Sequence, residues 1–465
     1  MLRTRRSFRA AGALIGLALI ATACGTDSSD DTSAGDEADA GGGADTGDTG
    51  DDGDDGDDGD EADMSVAGDV EILDAFTGDV DVAGIEAVIA AFEAAHPNIN
   101  VERQGSSDFE QLVRSRVEGG DPPDIAFHPQ PGLLADFVSQ GFPVPLDDVV
   151  DVARLQSEMV SGLVDLGTFN DTYYGLQVRL SLKSLVWYSP ANFAAEGFEV
   201  PTTWKEMQAL TDEIVSRGET PWCIGIESSS ATGWVATDWI EDLVLRALGG
   251  EWYDAWTRGE QPFNDPDLIA AIETYMEPIW FGEGTVFGGR PNILQTSFGD
   301  SVLGILDDPE HECYMHRQAS FITGFMPEGT TVGPDADVNF FYLPPTDSAS
   351  PVLIAGDLAA LYTQNDAAKA FMRFMATAES GEPWAAQGAY LSPFATFDNT
   401  TYGDPTLAAQ AEIITAADFA RFDGSDLMPG AVGAGAFWTE LVEWINGTKS
   451  LEEALEAIDE VWRNL

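Results

Sequence analysis

Val70-Glu71-Ile72-Leu73-Asp74-Ala75-Phe76 alternates apolar and polar side chains, the two-residue period of a strand. It runs into the turn Thr77-Gly78-Asp79 and then an apolar-periodic stretch from Gly84 to Ala95, which predicts strand, loop and helix in that order. Ile99-Asn100-Val101 predicts a second strand and Phe109 to Glu118 a second helix. Pro123-Asp124-Ile125-Ala126-Phe127 predicts a third strand, emptying into His128-Pro129-Gln130-Pro131-Gly132. Strands and helices in alternation predict an α/β fold with a parallel sheet. Ligands of such sheets gather where loops leave the carboxyl ends of strands, which makes Thr77 to Asp79 and His128 to Gly132 the first candidates for a cleft.

Downstream the pattern turns extended at Tyr174 to Val178 and again at Ser184 to Tyr188. Thr203 before Trp204, with Glu206 three residues on, has the logic of a helix cap. Val352 to Leu361 reads as two buried strand pieces hinged at Gly356, and Ala367 to Ala376 as an amphipathic helix. Helical segments follow near Pro405 to Ala417, Gly435 to Ile445 and Leu451 to Trp462. All 12 tryptophans lie at or beyond Trp187, so the two halves differ in composition. A folded part of about 400 residues exceeds a comfortable single core, and two lobes are expected.

The first nine residues carry four arginines and no acid, an uncharged apolar run follows from Ala10, and Ala21-Thr22-Ala23 leads into Cys24-Gly25. That is the order of a secretory signal at 1–23 ending at a lipoprotein-type cleavage site, although Ala21 stands where such sites usually carry Leu. With Cys24 as the lipidated N-terminus, acyl chains would hold the chain at the outer face of the cytoplasmic membrane. Thr4-Arg5-Arg6-Ser7-Phe8 has twin-arginine character but is followed by Arg9, so the export route stays open. Residues 24–66 are rich in Gly and Asp and hold no aromatic or basic side chain. They cannot bury apolar area and are expected to form a disordered, self-repelling tether.

The chain carries a net charge of −60. Four arginines precede Cys24 and seventeen acids lie between Gly25 and Asp63, so the folded part keeps about −47. A surface this negative disfavours nucleic acid and suits a neutral or cationic ligand, and adaptation to a salty medium explains the magnitude equally well. Of three cysteines, Cys223 and Cys313 remain once Cys24 is lipidated. In an oxidising compartment a disulfide between them is the natural expectation, two buried thiols the alternative. His311-Glu312-Cys313 and His316 imitate a metal cluster, but an oxidised Cys313 is no thiolate ligand, and no metal or other cofactor is expected.

Phe109-Glu110-Gln111-Leu112 followed by Gly119-Gly120-Asp121-Pro122-Pro123-Asp124-Ile125, then Leu185-Val186-Trp187-Tyr188 before Pro201-Thr202-Thr203-Trp204, then Gly356-Asp357-Leu358, resemble together the bacterial extracellular solute-binding proteins of family 1. Pro221-Trp222-Cys223, Gly233-Trp234 through Trp239-Ile240-Glu241-Asp242 and Cys313 to Gln318 look like its α-glucoside-binding branch, a similarity that also suggests the Cys223–Cys313 bridge. The resemblance covers nearly everything from Val70 onward. It implies a two-lobed, type II periplasmic-binding-protein-like fold, each lobe a mostly parallel sheet flanked by helices. Lobe 1 would comprise 67–178 and 346–395, lobe 2 179–345 and 396–465, with crossings near Gln177 to Arg179, Tyr342 to Ser350 and Leu391 to Thr400.

By the same resemblance the chain is expected to be a monomeric, non-enzymatic, extracytoplasmic sugar-capturing lipoprotein serving the membrane permease of an ABC importer. The motifs place Thr77, Gly78, Asp79, His128, Gln130, Arg179, Lys183, Trp234, Phe437 and Trp438 at the ligand, with His128-Pro129-Gln130 replacing the family's charged partner after the third strand. Sugar rings offer C–H faces and hydroxyl rims, so aromatic platforms and planar polar groups suit them. Trp187, Trp234 and Trp438 are the platform candidates, Asp238 and Arg179 the hydroxyl partners, and Gly356, at the hinge between strand pieces, a further ligand-binding candidate. The rivals are a secreted glycoside hydrolase, which needs two flanking carboxylates, and a binder of a cationic solute such as a polyamine.

Overall fold

The computed structural model describes residues 65–306, 311–346 and 349–465. The signal segment, Cys24 and nearly all of the expected tether lie outside these residues. Strands β1 (Gly68–Asp74), β2 (Ile99–Gly105) and β3 (Ile125–His128) form where alternation predicted them, and β1 pairs in parallel with both neighbours. The intervening helix spans Asp79–Ala95, and its buried Ile85, Val88, Ile89 and Phe92 recur at three and four residues, the spacing of one helical face. The helix Phe109–Gly119 buries Phe109, Val113 and Val117 and ends at Gly120, whose φ of 79° suits a residue without Cβ.

A short hairpin of β4 (Thr168–Phe169) and β5 (Thr172–Tyr173) precedes β6 (Gly175–Leu182) and β7 (Leu185–Tyr188). Strands β8 (Met315–Arg317) and β9 (Asn339–Tyr342) flank β7, and both run antiparallel to it. This corrects the expected parallel second sheet: the long helical excursion between β7 and β8 returns the chain in the opposite direction. The N-cap expected at Thr203 is present as a capping box with Glu206 on the helix Trp204–Ser216.

Two strands tie the halves together. β10 (Val352–Leu361) is one continuous strand, not two hinged pieces, with a register irregularity between Asp357 and Leu358. Its second half pairs antiparallel with β3 and its first half in parallel with β11 (Ala420–Phe422), while β6 pairs along most of its length. Both strands change cores midway. Leu176 and Val178 of β6 pack with Ile72, Ile85 and Phe127, whereas Leu180 and Leu182 pack with Val352, Ile354 and Phe422. β10 makes the same change across Gly356-Asp357, since Ala359 and Leu361 belong to the first core. Gly356 is required at that point: a Cβ there would lie 2.1 Å from Gln177 Nε2 and 2.2 Å from the Arg179 carbonyl oxygen.

The compositional asymmetry has a structural counterpart. Trp222, Trp239, Trp256 and Trp280 sit in one core with Tyr253, Phe263 and Phe437, mostly edge to face. Trp384 alone among the tryptophans joins the first core. Among the described residues, no helix is long and apolar enough to cross a membrane.

Candidate functional site

Outward from the β6–β10 ribbon lies a crevice of about 920 Å³, counting its open mouth. Alternate residues of β6 point the same way, so Arg179 and Ser181 face it, joined by Lys183 just past the strand's end and by Ala355, Gly356 and Asp357 of β10. Each cation is clasped by two acids. Arg179 Nη1 donates to Asp81 Oδ1 at 2.6 Å and Nε to Asp357 Oδ2 at 3.0 Å. The guanidinium also lies 4.4 Å from the Phe76 ring centroid and 5.2 Å from that of Trp384. Lys183 Nζ donates to Asp238 Oδ1 at 2.7 Å and Asp423 Oδ2 at 2.5 Å, and sits 5.2 Å from the Trp234 ring centroid.

Behind Lys183 the acids outnumber the cations. Glu241 accepts from the backbone N–H groups of Gly424 and Ser425 at 2.8 and 3.0 Å. Arg317 Nη1 reaches Asp238 Oδ2 at 3.5 Å while its Nη2 binds Asp242 at 2.9 Å. Asp238, Glu241 and Asp423 stand close enough together to hold a metal ion, but the Lys183 ammonium already lies between two of them and supplies a positive charge.

These groups split in their affinity for protons. Burial favours the neutral acid at Asp423, but Lys183 beside it holds that carboxyl down at about 2. Asp238 is pushed up by burial to about 7, and Glu241 and Asp426 are also raised, by burial and then by the charge on Asp423. Asp74 and Asp81 are raised to about 6, again mainly by burial. Lys183 is raised despite burial, by Asp238 and Asp423.

Carboxyls raised above their unfolded values stabilise the fold fully below about pH 4 and lose that contribution as pH climbs through about 6 to 7. Buried His128 and His316, lowered to about 3 and about 4, act oppositely, because the unfolded chain protonates them first as pH falls. The raised carboxyls outnumber these two histidines. The unfolding midpoint is therefore expected to rise as pH is lowered from about 8 to about 5.5. A thermal melt series showing a midpoint that is flat or falls over that interval would contradict the assignment.

Trp234, Phe298, Phe321, Phe325 and Trp438 supply aromatic surface to the crevice. Trp438 is only 3 % exposed, and its Nε1 has no hydrogen-bond partner among the described residues. Gln130 donates from Nε2 to Glu110 Oε1 at 3.0 Å, leaving its buried Oε1 unpartnered.

Of the residues expected from sequence, Thr77, Gln130, Arg179, Lys183, Trp234, Asp238, Gly356 and Trp438 line this crevice. Five do not. His128 is fully buried behind the wall, its Nε2 2.8 Å from Tyr362 Oη. Trp187 is equally buried and donates to the Gln318 carbonyl at 2.8 Å. Phe437 packs into the Trp256 and Phe263 cluster. Gly78 lies against the Phe325 ring, and Asp79 starts its helix on the exposed side, so Asp81, two residues on, is the acid that turns inward. Sequence reading missed Asp81, Glu110, Asp423, Asp426 and the three phenylalanines. Two cations in a crevice call for carboxylate partners, but nothing local marked which acids supply them, nor marked Phe298, Phe321 or Phe325.

The Cys223–Cys313 disulfide is formed. His316 is a core residue whose Nδ1 lies 3.0 Å from the Cys223 carbonyl oxygen.

The family described as bacterial extracellular solute-binding protein matches residues 78–295. The osmoprotective compounds-binding protein GgtB of Synechocystis is 41 % identical over 380 residues, 81 % of this chain and 89 % of that protein. The alpha-glucosides-binding periplasmic protein AglE of Rhizobium meliloti is 42 % identical over 397 residues, 83 % of this chain and 85 % of the relative. Among solved structures, a chitin oligosaccharide binding protein superposes with a TM-score of 0.73 at 18 % identity, over 86 % of this chain and 98 % of that one. That last likeness speaks to the fold.

Proposed function

The chain belongs to the bacterial extracellular solute-binding proteins, and on that premise we propose that it captures a neutral α-glucoside or short oligosaccharide and delivers it to the permease of an ABC importer. One observation carries the reading: Trp234 and Trp438 share a crevice with two cations whose charges are balanced in place. Indole faces match the C–H patches of a sugar ring. The paired carboxylates and guanidinium keep lone pairs and N–H groups for its hydroxyls. The name of one of the two relatives, the alpha-glucosides-binding AglE, supports the same class.

Binding alone is the proposed activity, because Asp81, Asp357, Asp238 and Asp423 are engaged by Arg179 or Lys183. The β6–β10 ribbon is the flexing element between lobes. Its change of core supports a first crossing at Arg179 and a return at Gly356-Asp357, later than the 346 expected. Cys24 serves as the lipid anchor of a monomer outside the cytoplasmic membrane. Calorimetric titration against mono- to tetrasaccharides, polyamines and amino acids tests the ligand class. A cationic solute is the second reading, since Glu110 and Asp426 line the crevice and a bound cation would draw their carboxyls back to the ionised form that burial disfavours; polyamine binding without saccharide binding would establish it. New reducing ends from an oligosaccharide would instead reveal a hydrolase.

Trp438→Ala is expected to weaken saccharide binding by about 100-fold, the loss of a buried aromatic contact. Because Trp438 is mostly buried, the alanine variant also leaves a cavity, and titration is run well below its unfolding midpoint beside Trp438→Phe, which keeps an aromatic face. Affinity within a few-fold of the parent in Trp438→Ala would remove Trp438 from the platform role.

A further inference from the structure

Asp108 stands at the N-cap of the helix Phe109–Gly119, where an aspartate ordinarily accepts from the backbone of the first turn, yet its side chain makes no such bond. Its Oδ1 instead accepts from Ser229 Oγ at 2.7 Å, Ser230 Oγ at 2.8 Å and Ser230 N at 3.2 Å. The two serines open the turn Ser229–Ala231 before the helix Trp234–Ala247, which packs in the tryptophan-rich core. Phe109, Val113 and Val117 of the Asp108 helix pack in a different core, with Leu73 and Leu358. Ser107 and Glu110 beside Asp108, and Ser228 and Ala231 beside the serines, line the crevice, so these bonds cross its rim.

The serine side is shaped for this contact. Ser229 holds a φ of 52°, a left-handed conformation unfavourable for a residue with a Cβ, and its N–H is fixed by Glu227 Oε1 at 2.9 Å. That turn brings two hydroxyls and one N–H to a single carboxylate oxygen. The three bonds are charge-assisted, and they hold Asp108 below the usual carboxylate range.

We propose that Asp108 is a two-position clasp, capping its own helix when the crevice opens and binding Ser229 and Ser230 when it closes, so that it slows ligand release without touching ligand. Exchange of partners makes the contact reversible. Opening breaks three bonds to serine but gives the carboxylate the first-turn N–H groups it now leaves aside. The closed state is therefore favoured by a difference between two sets of bonds, small enough for ligand contacts to decide the balance. Asp108 acts as a positioning residue, and the clasp rests on the ligand-capture reading above.

The discriminating variant is Asp108→Ser, which can still cap the helix but is too short to reach across. Stopped-flow release of the saccharide that binds best is expected to speed up about tenfold, as befits loss of a few exposed hydrogen bonds, with the association rate and the ligand-free unfolding midpoint unchanged. Ser229→Ala/Ser230→Ala should do the same, and combining it with Asp108→Ser should add little further. Release within twofold of the parent, or full additivity, overturns the clasp. A ligand-independent measurement separates its failure from that of the functional reading: exchange of the Ser230 amide hydrogen should be slower in the parent than in Asp108→Ser. If no saccharide binds the parent, the ligand class falls and the clasp is judged on that exchange alone, equal rates refuting it.

Discussion

Lys183→Met is expected to cost about 3–5 kcal/mol of folding stability at neutral pH, the range found when one partner of a buried ion pair is removed. Lys183 is 6 % exposed, and Asp238 and Asp423, which it binds, are nearly inaccessible. Methionine fills the aliphatic space and removes only the charge. Asp423, now held ionised by Lys183, would then face Asp238, Glu241 and Asp426, with Arg317 reaching only Asp238 of these. The folded chain would relieve this by taking up a proton, so the deficit should shrink towards about pH 5, where carboxyls protonate at lower cost. Lys183→Arg, which keeps the charge, should lose less than the methionine variant at neutral pH. Denaturant titrations at the two pH values check this. A loss under about 1 kcal/mol, or one equal at both, would mean the acids are stabilised by something other than the ammonium.

Why Lys183 and Arg179 were recognisable from sequence, while their partners were not, follows from the fold. Both cations sit on one short extended segment just before Leu185-Val186-Trp187-Tyr188, a stretch that carries the family resemblance, so their place in a crevice could be expected locally. Asp81, Asp357 and Asp423 lie 98, 178 and 240 residues away from the cations they bind. In a chain with 81 acids, no local pattern singles out those three. Pairing of this kind is created by the sheet, through the placement of β10 between β3 and β6 and of β11 beside it.

The strands and helices themselves were more legible, because periodicity is a local property. Val70 to Phe76 announced β1, and Thr203 with Glu206 announced a cap that forms. Gly356 was noticed but misread as a hinge within a broken strand. In the fold it is the residue over which the Gln177 side chain crosses, donating to the Arg179 carbonyl at 2.7 Å. His128, Trp187 and Phe437 lie off the crevice. His128 and Phe437 stand next to crevice residues but point elsewhere, because successive side chains alternate along a strand and turn by about 100° along a helix, whereas Trp187 lies on β7, none of whose residues lines the crevice. Trp438, next in line after Phe437, faces the crevice.

Reducing the Cys223–Cys313 disulfide should destabilise the fold by about 3–5 kcal/mol, since the bond closes a loop with a sequence separation of 90 and loop-closure entropy grows with the logarithm of that length. The closed segment includes the helix Trp234–Ala247, which carries Trp234 and Asp238 to the crevice. Cys223 N donates to the Met315 carbonyl at 2.9 Å, so the bond fastens the end of this excursion to β8. Both sulfurs are buried beside Gly304, where a Cβ would come within 2.2 Å of Cys223 Sγ. A strong reductant should therefore act slowly on the folded protein and quickly once it unfolds. Cys223→Ala/Cys313→Ala should show a lower denaturation midpoint with the crevice intact, and saccharide affinity should change much less than stability. A mass measurement finding two free thiols in the oxidised mature protein would refute the bond. Equal stability of the double variant and the parent would show that the 90-residue excursion is already confined in the unfolded chain.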